Sequence, residues 1–80
     1  MNKLEAQNIH AVNRAKERYD LELSVDDLKQ IANKIRKGKS RFVAAETLRI
    51  TKHLVEHKGV VLLVVYDKNR NSVCSFLLQE

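Results

Sequence analysis

The sequence predicts an α+β domain, with two N-terminal helices packed on a small antiparallel sheet of three or four strands. Three observations carry this. Up to Gly38 the apolar residues recur at spacings of three and four, and from Arg41 onward the period is two. Helical and strand-rich segments do not alternate but follow one another, as in α+β chains. No proline occurs, so glycines and polar turns must end the elements. With 80 residues the chain fits one domain, 1–80, and no repeat, linker or low-complexity tract divides it.

Residues from about Lys3 to Tyr19 are rich in Ala, Glu, Lys, Arg and Gln, all good helix formers. Ile9, Val12, Ala15 and Tyr19 form the stripe expected to be buried. The second helix is better marked. Ser24 can cap it, with Asp27 three residues on in a capping-box arrangement, and Leu23 and Leu28 are placed as a hydrophobic staple. Val25, Leu28, Ile31, Ala32 and Ile35 supply its apolar face. Arg36 and Lys37 suit the negative end of the helix dipole, and Gly38 can close the helix in the left-handed conformation.

Phe42 to Ala45 reads as a short strand. Leu48, Ile50 and Leu54 fall at even positions and predict a half-buried strand with Arg49, Thr51, His53 and Val55 on its other side. His57-Lys58-Gly59 reads as a turn. Val60 to Tyr66 is apolar on both faces, as in a central strand. Asp67 to Asn71 is a polar hairpin loop, and Ser72 to Leu78 the last strand. Two helices can cover only one face of this sheet. Val60, Leu62 and Val64 point one way, and Val61, Leu63 and Val65 the other. The second face is expected to meet a protein partner or a second copy of the chain, rather than curl on itself or stand open as a groove.

Composition excludes several classes. Hydrophobic residues make up 44% and charged residues 31%, a globular balance. Cys74 is alone, so no intrachain disulfide forms, and a reducing, cytoplasmic setting is expected. There it reads as a small buried hydrophobe. No Cys/His spacing suits zinc. His53 and His57, four apart on a strand, lie about 13 Å from one another, too far to share a metal, and read as exposed polar residues. No apolar run approaches a membrane span, and MNKLEAQNIH lacks the apolar core of a signal peptide. Gly38 and Gly59 stand far apart, so no Gly-rich phosphate loop exists. Cofactor-free and metal-free chemistry, or binding, is expected.

The charge balance favours a polyanion. Lys and Arg total 15 against 10 Asp and Glu, for a net +5. Lys34, Arg36, Lys37, Lys39 and Arg41 form an acid-free cluster suited to nucleic acid first and to an anionic membrane surface second. The alternative is a solvated helix end. His10, Arg14 and Arg18 fall at spacings of four and line one side of the first helix. They set an imidazole able to move a proton beside two guanidinium groups able to grip a phosphate. By helical geometry, however, His10 lies nearly opposite the expected buried stripe, so an ordinary solvated face is the alternative.

The string His10-Ala11-x-x-Arg14-x-x-x-Arg18, the cap at Ser24, the Asp-bearing helix and the basic turn Arg36-Lys37-Gly38 follow in order. Then come Val64-Val65-Tyr66-Asp67, a polar hairpin, and Val73-Cys74-Ser75-Phe76-Leu77. This succession resembles the RelE/ParE-like toxin-type domains of the barnase–colicin–RelE ribonuclease group, in a branch that carries the His-Ala-x-x-Arg helix. The likeness covers the chain from about His10 to Leu77. It implies two helices before an antiparallel sheet. It also implies a toxin-like, metal-independent endoribonuclease in which the ribose 2′-hydroxyl attacks the adjacent phosphate. On that pattern His10 acts as base or acid and Arg14 clamps the phosphate. Ser75, where such domains often carry Thr, orients the phosphate, and Tyr66 donates a proton or stacks a base. Arg18 and the Lys34–Arg41 cluster would hold RNA. No His or Arg stands in the final strand, where several active relatives carry one. The alternative is a non-catalytic member of the same fold, phage-encoded or from a toxin–antitoxin pair. It would bind nucleic acid, an antitoxin or a host protein.

Overall fold

The computed structural model describes residues 3–79. Helices α1 (Lys3–Tyr19) and α2 (Val25–Arg36) precede strands β1 (Arg41–Ala45), β2 (Ile50–His57), β3 (Val60–Asp67) and β4 (Ser72–Leu77). The strands form one antiparallel meander in the order β1-β2-β3-β4. The chain thus has the expected α+β class, with its helices ahead of its strands.

Local chemistry sets the element ends. Ser24 Oγ accepts from the Asp27 backbone N–H while the Asp27 carboxylate accepts from the Ser24 N–H, a complete capping box. At the far end Gly38 takes φ +73°. The Gly38 N–H then reaches Ile35 O and the Lys39 N–H reaches Lys34 O, a Schellman closure. Lys58 and Gly59 both have positive φ, the two-residue turn whose twist matches a hairpin. The β2–β3 turn therefore contains Lys58 and Gly59 only. His57 ends β2, paired with Val60.

That pairing sets which residues face the helices. Thr51, His53, Val55 and His57 stand opposite Tyr66, Val64, Leu62 and Val60, and this side of the sheet meets the helices. The expectation of buried even positions on β2 is corrected. Ile50 and Leu54 are only half-buried, and Leu48 lies in the β1–β2 turn almost fully exposed. The burial of α1 is corrected too. Ala11 and Ala15 are its fully buried residues, whereas Ile9 is exposed. Ala11 and Ala15 share the face that packs on β4, and Ile9, about 200° around the helix from Ala11, points outward.

The core combines Leu28, Ile31 and Ile35 of α2 with Val55, Leu62, Val64, Val73 and Phe76 of the sheet. The Tyr19 hydroxyl fastens α1 to the sheet. It donates to Leu77 O and accepts from the Leu63 N–H, so it bridges β4 and β3. The other sheet face has no covering element among the described residues. Leu54, Leu63, Val65 and Leu77 share it and are half-buried.

Candidate functional site: a cationic cleft beside the end of α2

α2 stops at Arg36 and the chain turns away at Gly38, so the helix-side surface of β1–β3 is left partly uncovered. An open cleft of about 360 Å³ forms there. Ile35 and Arg36 line it from α2, Phe42 from β1, Thr51 and His53 from β2, Tyr66 from β3, and Lys68 and Asn71 from the β3–β4 loop. Two cations and no carboxylate line it, so it suits an anion.

His53 is the imidazole of this cleft. Its Nε2 lies 2.9 Å from Thr51 Oγ1 and its Nδ1 3.3 Å from Ser40 Oγ. Both hydroxyls can donate or accept, so they serve either tautomer. Phe42 and Tyr66 flank the ring edge-to-face, with centroids at 5.7 and 6.0 Å. Partial burial lowers the His53 pKa below the usual imidazole value, which leaves the ring unprotonated at neutral pH. Tyr66 is buried, and its hydroxyl donates to Asn71 Oδ1 at 3.2 Å. Burial raises the phenol's pKa, against the smaller opposing pull of the nearby Arg36 charge, so the phenol keeps its proton.

The residues singled out from sequence are not gathered in one place. Tyr66 and Arg36 line the cleft. His10 is exposed on α1 and is not part of the cleft. Arg14, also on α1, pairs with Glu17 at 2.8 Å. Ser75 stands opposite Val65, on the sheet face turned away from Tyr66. Arg18 is half-buried on α1. Lys34 is engaged, donating to Glu56 O at 2.7 Å and facing His57 Nδ1 at 3.4 Å. Lys37, Lys39 and Arg41 are exposed on the segment between Arg36 and Phe42 that borders the cleft.

Sequence reasoning missed Phe42, Thr51, His53, Lys68 and Asn71. It also placed both strand histidines in solvent, which the structure corrects. His53 is half-buried in the cleft, and His57 is buried, with Nε2 2.8 Å from Asp27 Oδ1. A signal for His53 was present. A two-residue Lys58–Gly59 turn sets His57 opposite Val60 and therefore His53 opposite Val64, on the core side. Reading the turn one residue too long hid that register.

Two tight clusters are structural. Asp67 is fully buried and accepts two bonds from the Arg49 guanidinium, at 2.7 and 3.0 Å. It also accepts from Gln7 Nε2 and from the Asn69 and Arg70 N–H groups. Cys74 is half-buried and accepts from Gln7 Nε2 at 3.2 Å, and burial pushes its thiol up to about 11. It is therefore a poor nucleophile. Among the described residues no helix is long and apolar enough to cross a membrane. In comparisons with known proteins, no family model matches the chain, and neither a curated protein nor a solved structure matches it.

Proposed function

We propose that this domain binds RNA through the cleft beside the end of α2. The observation that carries the reading is the lining itself. Arg36 and Lys68 stand over a floor of Thr51, His53 and Tyr66 with no acid among them. The exposed cations Lys37, Lys39 and Arg41 extend the positive surface along the adjoining segment. Guanidinium and ammonium groups hold phosphates, and the hydroxyl and imidazole groups can bond ribose or base edges. The resemblance to RelE/ParE-like domains implies RNA as one ligand class, and the order of two helices before an antiparallel sheet is compatible with it. The dispersal of His10, Arg14 and Ser75 favours binding over the catalytic arrangement that the resemblance implies.

A second reading, metal-independent cleavage, is favoured by one further observation. The unprotonated His53 and the protonated Tyr66 share the cleft floor with ring centroids 6.0 Å apart. His53 would take the proton of a ribose 2′-hydroxyl, which replaces Ser40 Oγ as the partner of Nδ1. The 2′-oxygen bonds to phosphorus, the bond to the 5′-oxygen breaks, and Tyr66 returns a proton to that oxygen. Arg36 and Lys68 balance the charge of the phosphorane. The products are a 2′,3′-cyclic phosphate and a 5′-hydroxyl end.

One experiment separates these readings. Mixed RNA is incubated in EDTA with wild type, Arg36→Ala/Lys68→Ala, His53→Ala and His10→Ala, and both binding and end chemistry are followed. Binding should weaken in the double variant, and its log–log salt slope should fall by about 1.4 for two lost phosphate contacts. Equal binding by wild type and the double variant would rule out the cleft. Cyclic-phosphate ends lost in His53→Ala but kept in His10→Ala would establish cleavage centred on His53. Intact RNA in every sample would leave a binding module.

A further inference from the structure

We infer that the cleft contains a nucleobase subsite at Phe42, so that the ligand it takes is single-stranded RNA and not a duplex. This rests on the reading of the cleft as the RNA site. Phe42 is 60% exposed, although it lies on the helix side of the sheet opposite His53. The other two rings of the cleft are more enclosed, His53 half-buried and Tyr66 buried. The imidazole meets Phe42 edge-to-face, with ring planes at 75°, and so steadies it from one side. Just beyond Phe42 the pairing of β1 with β2 shifts register around Val43. The ring therefore projects from an irregular edge strand at the rim, with Arg36 and Lys68 among its neighbours in the lining.

A large exposed ring beside cations matches the requirements of an unpaired nucleotide. Its base gains a stacking surface and its phosphate gains a positive neighbour. A duplex gains little from such a ring, because its bases are already stacked and paired. Stacking tolerates any base, so the subsite distinguishes strandedness before sequence.

The test uses fluorescence anisotropy with three probes: a 2′-O-methyl oligouridylate that resists cleavage, an RNA duplex of equal length, and inorganic polyphosphate. Wild type should prefer the single strand to the duplex. Phe42→Leu should weaken single-strand binding about tenfold and leave polyphosphate binding unchanged, and Phe42→Trp should restore it. Because the ring is exposed, all variants should keep the wild-type far-UV circular dichroism. If Phe42→Leu binds the single strand as wild type does while Arg36→Ala weakens it, the subsite is refuted and the cleft stands. Equal losses for the single strand and polyphosphate would reduce Phe42 to shaping the cleft, which also overturns the subsite. If neither Phe42→Leu nor Arg36→Ala changes binding, the RNA reading of the cleft fails with it.

Discussion

Asp27 does three jobs with two oxygens. Its carboxylate closes the capping box of α2 through the Ser24 N–H, receives His57 Nε2 at 2.8 Å, and meets Lys58 Nζ at 3.3 Å. On the other side of the ring, Lys34 Nζ lies 3.4 Å from His57 Nδ1. The Ser24 backbone bond, followed by the His57 bond, holds the Asp27 carboxyl well below the usual carboxylate range. The Arg49 guanidinium does the same for Asp67. A carboxylate with a depressed folded pKa contributes stability that is fully present above its unfolded value, about 3.9. That contribution is lost as pH falls from there through the lower folded values. Unfolding free energy, followed by urea denaturation, should therefore drop on acidification below about pH 4. Asp27→Ala should cost about 3 kcal/mol at neutral pH, because it strips partners from a buried imidazole and a helix cap. The same variant should show a shallower acid limb, and an unchanged limb would remove Asp27 from the account. The capping box was legible from Ser24 and Asp27 in the sequence. The His57 partnership was not, because it joins residues thirty positions apart through tertiary packing.

At the scale of elements, β3 poses a question that its composition cannot answer. Every residue from Val60 to Val65 is Val or Leu, so neither face is marked as inner. Pairing and helix placement decide it. Leu62 and Val64 are fully buried under the helices, whereas Leu63 and Val65 lie half-buried on the open face. Neighbouring residues of equal size should then respond unequally. Val64→Thr puts a hydroxyl without a ready partner into the core and should cost about 2 kcal/mol. Val65→Thr should cost less than about 0.5 kcal/mol, since its hydroxyl reaches water. Equal losses in thermal melts would mean that the second face is covered after all. For α1 the element, its bounds and most of its inner face, Ala15 with Val12 and Tyr19, were readable from sequence, whereas Ile9 was misplaced and the fully buried Ala11 was not singled out.

For the whole molecule, the succession of helices before strands and the helix stop at Gly38 were legible because local chemistry sets them, whereas the β1–β2 turn and the length of the β2–β3 turn were not. The cleft was not. It arises where α2 ends short of β1 and leaves Phe42 exposed and His53 half-buried beside the buried Tyr66, a consequence of how layers overlap that no single segment encodes. The same layering has an effect on synthesis. Although each strand pairs with its neighbour in sequence, α1 packs mainly on β4, the last element of the fold. The opening helix must wait through the making of everything between before Ala11 and Ala15 can be covered and the Tyr19 hydroxyl can join β3 to β4. A ribosome-bound chain that still holds β4 in the exit tunnel therefore lacks the β3–β4 hairpin and a closed core, and the domain completes itself only in a late step.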